Sequence, residues 1–146
     1  PNNPITRAQA AKIISNFLGL TPTNENISFS DVDQNHWAFG VVNLVAQHKI
    51  MNGIGDGRFA PETLITRAQV AQILYNAGFY SHSINNQMNS FIDVDYNHWA
   101  YVAIETMKQE GILNGYADGR FGPNDSTSRA QLAAIIYRLY EKGLGK

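Results

Sequence analysis

The sequence predicts a mainly α-helical protein built from tandem helix–loop–helix repeats. Two observations support this prediction: long stretches of the chain recur at a fixed offset, and the apolar residues in each copy follow helical spacing. FSDVDQNHWAFG, which begins at Phe29, recurs as FIDVDYNHWAYV from Phe91. TRAQVAQILY, from Thr66, recurs as SRAQLAAIIY from Ser128. Both pairs share an offset of 62 residues without a gap, and nearly half of the aligned positions are identical.

A third copy is present in part, because ITRAQAAKII from Ile5 matches the second half of the unit. The segments between copies, 19–28 and 78–90, are polar and rich in Gly, Asn and Ser, as linkers are. We therefore predict the back half of a first repeat at 1–20, a second repeat at 29–78 and a third repeat at 91–146.

Each whole unit is predicted to begin with a helix that starts near Asn35 or Asn97. Its apolar residues fall at i, i+3, i+4 and i+7, which places them on one helical face. Gly53 and Gly115 follow this helix, where a left-handed C-cap is expected. The apolar positions are Ala38, Val41, Val42 and Val45 in one unit and Ala100, Ala103, Ile104 and Met107 in the other.

A tight turn and a second helix complete each unit. The dipeptides Asp56-Gly57 and Asp118-Gly119 are typical of tight turns. The second helix shows the same apolar spacing in all three copies. Its apolar face is Val70, Ile73, Leu74 and Ala77 in the second repeat, Leu132, Ile135, Ile136 and Leu139 in the third, and Ala10, Ile13, Ile14 and Phe17 in the partial copy.

The motif [TS]-R-A-Q is expected to open each second helix. Thr6, Thr66 or Ser128 occupies the N-cap, and a Gln three residues later completes a capping box. The Arg at the first helical position is unusual, because a cation near the positive end of the helix dipole is unfavourable by about 0.3–1 kcal/mol. This placement recurs three times, at Arg7, Arg67 and Arg129.

Two explanations for these arginines remain open. A guanidinium beside free helix N–H groups forms a site suited to the carboxylate or phosphate of a ligand. Alternatively, each Arg forms an internal ion pair with a carboxylate of the repeat, and one Arg can serve both purposes. The candidate carboxylates are Asp31, Asp33, Asp93 and Asp95.

Trp37 and Trp99, at the predicted start of the first helices, also have two interpretations. Aromatic faces stack on sugar rings, but a Trp beside an apolar helical stripe more often belongs to the core, which is the favoured interpretation. His36 and His98 precede them and are expected to cap or hydrogen-bond within the unit rather than to hold a metal.

The pattern Asp31-x-Asp33-x-Asn35 matches the opening of a calcium loop, and the third repeat has the same pattern. His36 and Val42, however, stand where such a loop needs Gly and Glu. The chain has no Ser/His/Asp nucleophile motif, and a repeated module does not suit a single asymmetric active site. The sequence therefore predicts no enzyme activity, no metal site and no cofactor.

Composition narrows the class of protein further. Hydrophobic residues make up 44% of the 146 residues and charged residues 16%, which is typical of a globular domain. The net charge is −1 and the basic residues are scattered, so nucleic-acid binding is not expected. No apolar run approaches the roughly 20 residues of a membrane span. The chain opens at Pro1, inside a motif, and we expect it to be processed or part of a longer protein.

These motifs, F-[SI]-D-V-D-x-N-H-W-A, N-G-x-x-D-G-R-F-x-P and [TS]-R-A-Q, resemble the S-layer homology family. The resemblance covers the chain outside its two linkers. It implies a pseudo-threefold helical arrangement of three repeats, and an extracellular location at the bacterial cell surface. It also implies non-covalent binding of anionic secondary cell-wall polysaccharide, often through a pyruvate ketal, in grooves between neighbouring repeats.

The resemblance links the Arg of the third motif, and the nearby Asp-Gly loop, to ligand binding. Gln stands where Glu is commoner in this motif, which leaves the Arg less neutralised. The front half of the first repeat is absent, so the third groove is in doubt. The binding candidates are Arg7, Arg67, Arg129, Gly57, Gly119, Asp31, Asp93, Trp37 and Trp99.

Two alternatives to a polysaccharide anchor remain. One is a protein–protein module that assembles a surface array, and the other is an enzyme whose catalytic domain lies outside this chain. The helix at 128–140 lacks the first helix of a following unit, so we expect Leu132, Ile135, Ile136 and Leu139 to be less covered than their equivalents. This exposure predicts self-association through that helix, or a covering helix from upstream residues.

Overall fold

The fold is mainly α-helical, as predicted. The structure is a computed structural model that describes residues 1–80, 83–85 and 87–145; residues 81, 82 and 86, in the second predicted linker, and Lys146 lie outside the described residues. Among the described residues, β-structure is limited to isolated bridges. The helices are α1 (Arg7–Leu18), α2 (Phe39–Gln47), α3 (Arg67–Asn76), α4 (Tyr101–Gln109) and α5 (Arg129–Glu141).

Helices pack in pairs that join one unit to the next. α1 packs against α2, and α3 packs against α4, so the second helix of one unit contacts the first helix of the following unit. α5 has no comparable helical neighbour in the described part of the chain. The apolar inner faces of all five helices nevertheless belong to one continuous core.

A ring of three backbone hydrogen bonds closes the arrangement around a pseudo-threefold axis. The N–H of Ile5 donates to the carbonyl of Thr127, Thr127 to Ile65, and Ile65 back to Ile5, with N···O distances of 3.0, 2.9 and 3.0 Å. These residues occupy equivalent places, each directly before an N-cap residue. The pseudo-threefold arrangement therefore forms even though the first repeat is represented only by its back half.

Two further sets of backbone bonds surround this ring, at the N-termini of α1, α3 and α5. The first helical N–H groups, of Arg7, Arg67 and Arg129, donate to carbonyls of the neighbouring segment. The second helical N–H groups, of Ala8, Ala68 and Ala130, also donate to carbonyls of the neighbouring segment. The accepting residues are Thr63, Asp125 and Asn3 for the first set and Pro61, Pro123 and Pro1 for the second.

The first helices begin four residues later than predicted, at Phe39 and Tyr101. The Asp33 carboxylate accepts the N–H of Asn35 at 2.8 Å, which holds residues 33–38 in turns instead. The imidazole Nδ1 of His36 then accepts the N–H of Ala38 at 3.1 Å, and His98 does the same for Ala100. The expectation that the histidines hydrogen-bond inside the unit is confirmed.

The expected left-handed C-caps at Gly53 and Gly115 are wrong. The left-handed residues after α2 and α4 are Lys49 (φ 57°) and Gly111 (φ 70°). Gly53 and Gly115 are instead required by close packing. A Cβ at Gly53 would lie 2.6 Å from the carbonyl oxygen of Arg58, and one at Gly115 would meet the ring of Phe91.

The expected exposure of the α5 stripe is also wrong for most of its residues. Leu132, Ile135 and Leu139 are at least as buried as their equivalents Val70, Ile73 and Ala77, because they face the common core rather than a neighbouring first helix. Only Ile136 is less covered than its equivalent, Leu74. The uncovered side of α5 is a different face, which carries Ala133, Tyr137 and Tyr140.

Candidate functional site

Arg7 and Arg67 each hold a loop of the next unit. Nε of Arg7 donates to the carbonyl of Phe59 at 2.9 Å, and Nη2 donates to the carbonyl of Asn52 at 2.8 Å. Arg67 makes the equivalent bonds, at 2.8 and 2.7 Å, to Phe121 and Asn114. We call this pair of bonds the clasp, because one guanidinium spans both ends of the N-G-x-x-D-G-R-F loop.

The clasp differs from both explanations that the sequence left open. The helix N–H groups beside each Arg are not free: the first two bond to backbone carbonyls, and the N–H of Gln9 bonds to the Thr6 hydroxyl in the predicted capping box. The internal partners of the guanidinium are carbonyl oxygens rather than carboxylates. Burial lowers the pKa of Arg7, and the charge of Asp31 partly offsets this effect.

Asp31 and Asp93 brace the same loops from the other side. The two carboxylate oxygens of Asp31 accept the N–H groups of Phe59 and Ala60, both at 2.8 Å. Asp93 does the same for the third repeat. Burial alone would raise the pKa of Asp31, but these N–H groups and the charge of Arg58 outweigh it and hold the pKa below its ordinary value. Both carboxylates therefore have a defined structural role.

Gly57 and Gly119 lie in these loops and adopt positive φ, at 69° and 88°. The carbonyl of Gly57 accepts the N–H of Ser30, and that of Gly119 accepts the N–H of Ile92, so both turns are tied to the start of their unit. The predicted tight turns are present in both repeats. Asp56 also has positive φ, at 52°, which makes the turn of the second repeat a two-residue hairpin turn.

Trp37 and Trp99 lie at the surface, with exposed fractions of 59% and 61%, so the favoured core interpretation is wrong. The reason is the late start of α2 and α4, which leaves each Trp in the preceding turn. Each indole stacks on the imidazole of the preceding His. Trp99 is therefore free to present an aromatic face to the groove beside it.

Two equivalent grooves lie between successive units. The first groove has a volume of about 450 Å³ and lies between the Arg7 clasp, α3 and Trp99. The second groove, of about 140 Å³, lies between the Arg67 clasp and α5. Their polar lining residues are Arg7, Asn52, Gln69, Gln72 and Asn76 in the first groove and Arg67, Asn114, Gln131 and Arg138 in the second.

Arg129 is separated from both grooves. It is exposed, and its guanidinium makes no hydrogen bond or ion pair with any residue that the structure describes. It lines a third, apolar groove of about 420 Å³ between α1 and α5, which we call the α1–α5 groove. The other lining residues are Ile13, Phe17, Ala133, Ile136, Tyr137 and Tyr140.

Sequence reasoning missed the polar face that α3 presents to the first groove. Gln69, Gln72 and Asn76 follow one another at i, i+3 and i+7, which is the helical signal that could have revealed them. It also missed Arg138, which occupies the position of Asn76 in the third repeat. The motifs direct the comparison to identical positions, whereas Gln72 and Asn76 correspond to Ala134 and Arg138 in the third repeat.

Other kinds of site find no support in the described residues. No group of three or more His, Asp or Glu side chains there could hold a metal ion. None of the described helices has the length and apolar character needed to cross a membrane.

Comparison with known proteins identifies the family. The family model of the S-layer homology domain matches residues 28–71 and 90–133, which together make up more than half of the chain. The chain belongs to the S-layer homology domain family, as its motifs predict.

Similar proteins are known from bacterial cell surfaces. The chain is 35% identical, over 98% of its length, to a cellulosome-anchoring protein of Acetivibrio thermocellus, of which it covers 33%. It is 33% identical over 80% of its length to exoglucanase XynX of the same organism, covering 10% of that protein. It is 32% identical over its whole length to S-layer protein EA1 of Bacillus anthracis, covering 17%. The chain thus spans a third or less of each relative, and the predicted cell-surface location is confirmed.

Proposed function

We propose that this chain is a non-catalytic module that anchors a bacterial surface protein to an anionic, pyruvylated secondary cell-wall polysaccharide. The observation that carries the proposal is the first groove, where an exposed Trp, amide side chains and a guanidinium converge. The likeness to a cellulosome-anchoring protein and to an S-layer protein supports an attachment role. Exoglucanase XynX matches over only 10% of its length, which fits a module that accompanies a separate catalytic domain.

The chemistry of the first groove suits a sugar with an acidic substituent. The exposed indole of Trp99 offers a flat apolar face for a sugar ring. Gln72 and Asn76 supply amide groups that both donate and accept hydrogen bonds, as sugar hydroxyls require. Nη1 of Arg7 forms none of the clasp bonds, and it remains available to a carboxylate at the inner end of the groove.

A sedimentation assay with purified cell walls tests this function. The chain should pellet with walls that retain their non-peptidoglycan polymer and stay in solution after that polymer is removed. Trp99→Ala should weaken binding at least tenfold, because the stacking face is lost. Trp37→Ala is a matched control: this Trp is equally exposed and stacks on its own His, but it lies outside the first groove. Equal binding to stripped walls would contradict the proposal.

A second candidate, a protein–protein assembly role, rests on the α1–α5 groove. This groove is lined mainly by apolar side chains, including Phe17 and the exposed rings of Tyr137 and Tyr140. Self-association through the 128–140 helix would cover them across a twofold axis. In this proposal the contact face is the outer side of α5, rather than the Leu132 stripe that the sequence suggested.

Light scattering over a range of concentrations tests self-association. A mass that rises towards that of a dimer, and that returns to the monomer in a Tyr137→Ser/Tyr140→Ser variant, would support it. A strict monomer at all concentrations would contradict self-association and leave the wall-anchor proposal unaffected.

A further inference from the structure

The two inter-unit grooves share most of their lining positions but differ threefold in volume, and Ile50, Gly53, Ile54 and Trp99 line the first groove without counterparts in the second. Asn52 and Asn114, and likewise Gln69 and Gln131, occupy the same places. Two positions on the second helix differ: Gln72 corresponds to Ala134, and Asn76 corresponds to Arg138. The exchange of Gln for Ala would enlarge the second groove, so it does not explain why that groove is the smaller one.

Among the equivalent positions, 76/138 is the one whose exchange narrows the second groove. Nδ2 of Asn76 donates to the carbonyl of Ile50 at 3.2 Å, and Nη1 of Arg138 donates to the equivalent carbonyl of Ile112 at 3.0 Å. Both side chains thus perform the same structural task at the end of the first helix. Arg is three heavy atoms longer than Asn, and its longer side chain lines the second groove.

We propose that only the first groove accepts a sugar unit, and that Arg138 excludes sugars from the second groove. This inference rests on the proposed function and adds to it the number of sites and the residue that sets this number. Ligand pockets usually measure about 300–1,000 Å³, so the first groove lies within that range and the second lies below it.

The lining of the two grooves also differs in charge. Trp99, which borders the first groove, belongs to the unit that follows α3, so it is not one of the positions at which the two grooves correspond. The second groove has two guanidinium groups, those of Arg67 and Arg138, and no carboxylate among its lining residues. It can attract a small anion, but Arg138 leaves too little space for a sugar ring.

The hydrogen bond that both side chains make allows a reciprocal exchange with little expected effect on folding. Asn76→Arg should close the first groove, and Arg138→Asn should open the second, while the carbonyls of Ile50 and Ile112 keep a donor in each variant. The probe is a set of wall-polymer fragments a few sugars long, prepared with and without the pyruvate ketal. Calorimetry gives the number of sites, and the fluorescence of Trp99 reports occupation of the first groove.

The unaltered chain should bind one pyruvylated fragment, with a change in fluorescence that Trp99→Ala abolishes. Asn76→Arg should reduce affinity at least tenfold with an unchanged melting temperature. Arg138→Asn should keep the first site unchanged and add a second, weaker and fluorescence-silent one, because it restores space but not the stacking face of Trp99. If Asn76→Arg does not fold, the site number of Arg138→Asn still decides the question.

Several outcomes would overturn the inference. Two sites in the unaltered chain, or full affinity in a folded Asn76→Arg variant, would refute it and leave the wall-anchor function intact. A single site in Arg138→Asn would show that this Arg does not control the second groove. No binding by the unaltered chain, to fragments or to whole walls, would overturn the inference and the proposed function together.

Discussion

The whole units 29–78 and 91–140 are each held by an arginine from the preceding helix, whereas the guanidinium of Arg129, on the last helix, bonds to none of the residues that the structure describes. Arg7, Arg67 and Arg129 have the same motif, the same helical position and the same capping box. Only the first two meet a following loop. The comparison teaches that the role of this residue comes from its neighbour in the ring rather than from its own motif.

The clasp also explains why a cation is tolerated at the first helical position. Its unfavourable interaction with the helix dipole amounts to about 0.3–1 kcal/mol. Two hydrogen bonds from a charged donor to carbonyl oxygens contribute more, at about 1.5–3 kcal/mol each. The balance therefore favours Arg wherever a loop is present to be held.

The largest expected effect is on stability, and it tests the comparison between the arginines that form a clasp and Arg129. Arg7→Ala should lower the free energy of unfolding by about 3 kcal/mol, because it leaves one buried and one partly buried carbonyl oxygen without a donor. Arg67→Ala should cost about 2 kcal/mol, since this residue is more exposed. Arg129→Ala should stay within about 0.5 kcal/mol of the unaltered chain. Urea unfolding of the three variants measures the series.

Arg7→Lys is the matched control for charge. Lys keeps the cation but cannot span both ends of the loop with one planar group, so its stability should fall between those of Arg7→Ala and the unaltered chain. Similar losses in Arg7→Ala and Arg129→Ala would mean that the clasp does not stabilise the unit.

A smaller effect concerns the acidic side of the same loops. The folded-state pKa values of Asp31 and Asp93 lie below the unfolded value of about 3.9. Their contribution to stability is therefore complete above pH 4 and is lost as the pH falls through the folded-state values. The free energy of unfolding should be level from pH 7 to pH 5 and decline below about pH 4.

The variant Asp31→Asn/Asp93→Asn tests this pH dependence. It should be less stable than the unaltered chain at pH 7, with a shallower decline towards pH 3. Asp118, whose pKa is also lowered, by its hydrogen bond from Arg120, is present in both proteins and does not affect the difference. Parallel pH profiles would show that the two carboxylates are not the titrating groups.

The repeats, the helical fold and the capping boxes could be predicted from the sequence because they depend on local spacing. The N-cap of α1, for example, needs only Thr6 and Gln9, three residues apart. The partners of the arginines could not be predicted in this way. For Arg7 they are the backbone carbonyls of Asn52 and Phe59, about fifty residues away in the sequence. Every residue type has a backbone carbonyl, so the sequence does not indicate which ones accept these bonds.

The candidate site was predicted only in part for a related reason. Trp99 was recognised as a residue of interest, but its exposure depends on where α4 begins, and the competing turn around Asp95 moved that start. Asn76 and Arg138 were not recognised because they differ between copies, although they line corresponding places of the two grooves. Identity between repeats identifies the shared framework, whereas specificity arises where the repeats diverge.

The smallest expected effect sharpens the comparison of the two whole units at the ends of their first helices. Lys49 and Gly111 occupy the same position after α2 and α4, and both adopt left-handed φ, at 57° and 70°. This conformation costs a residue with a Cβ about 1–2 kcal/mol relative to its preferred ones, whereas Gly adopts it readily. Lys49→Gly should therefore raise the free energy of unfolding, and Gly111→Lys should lower it, by about 1 kcal/mol each.

The double exchange should leave stability nearly unchanged, since the sites are separate and their effects add. Thermal and urea unfolding of the two single variants and the double variant measure this, and a destabilised Lys49→Gly would mean that the Lys side chain contributes more than its backbone strain costs.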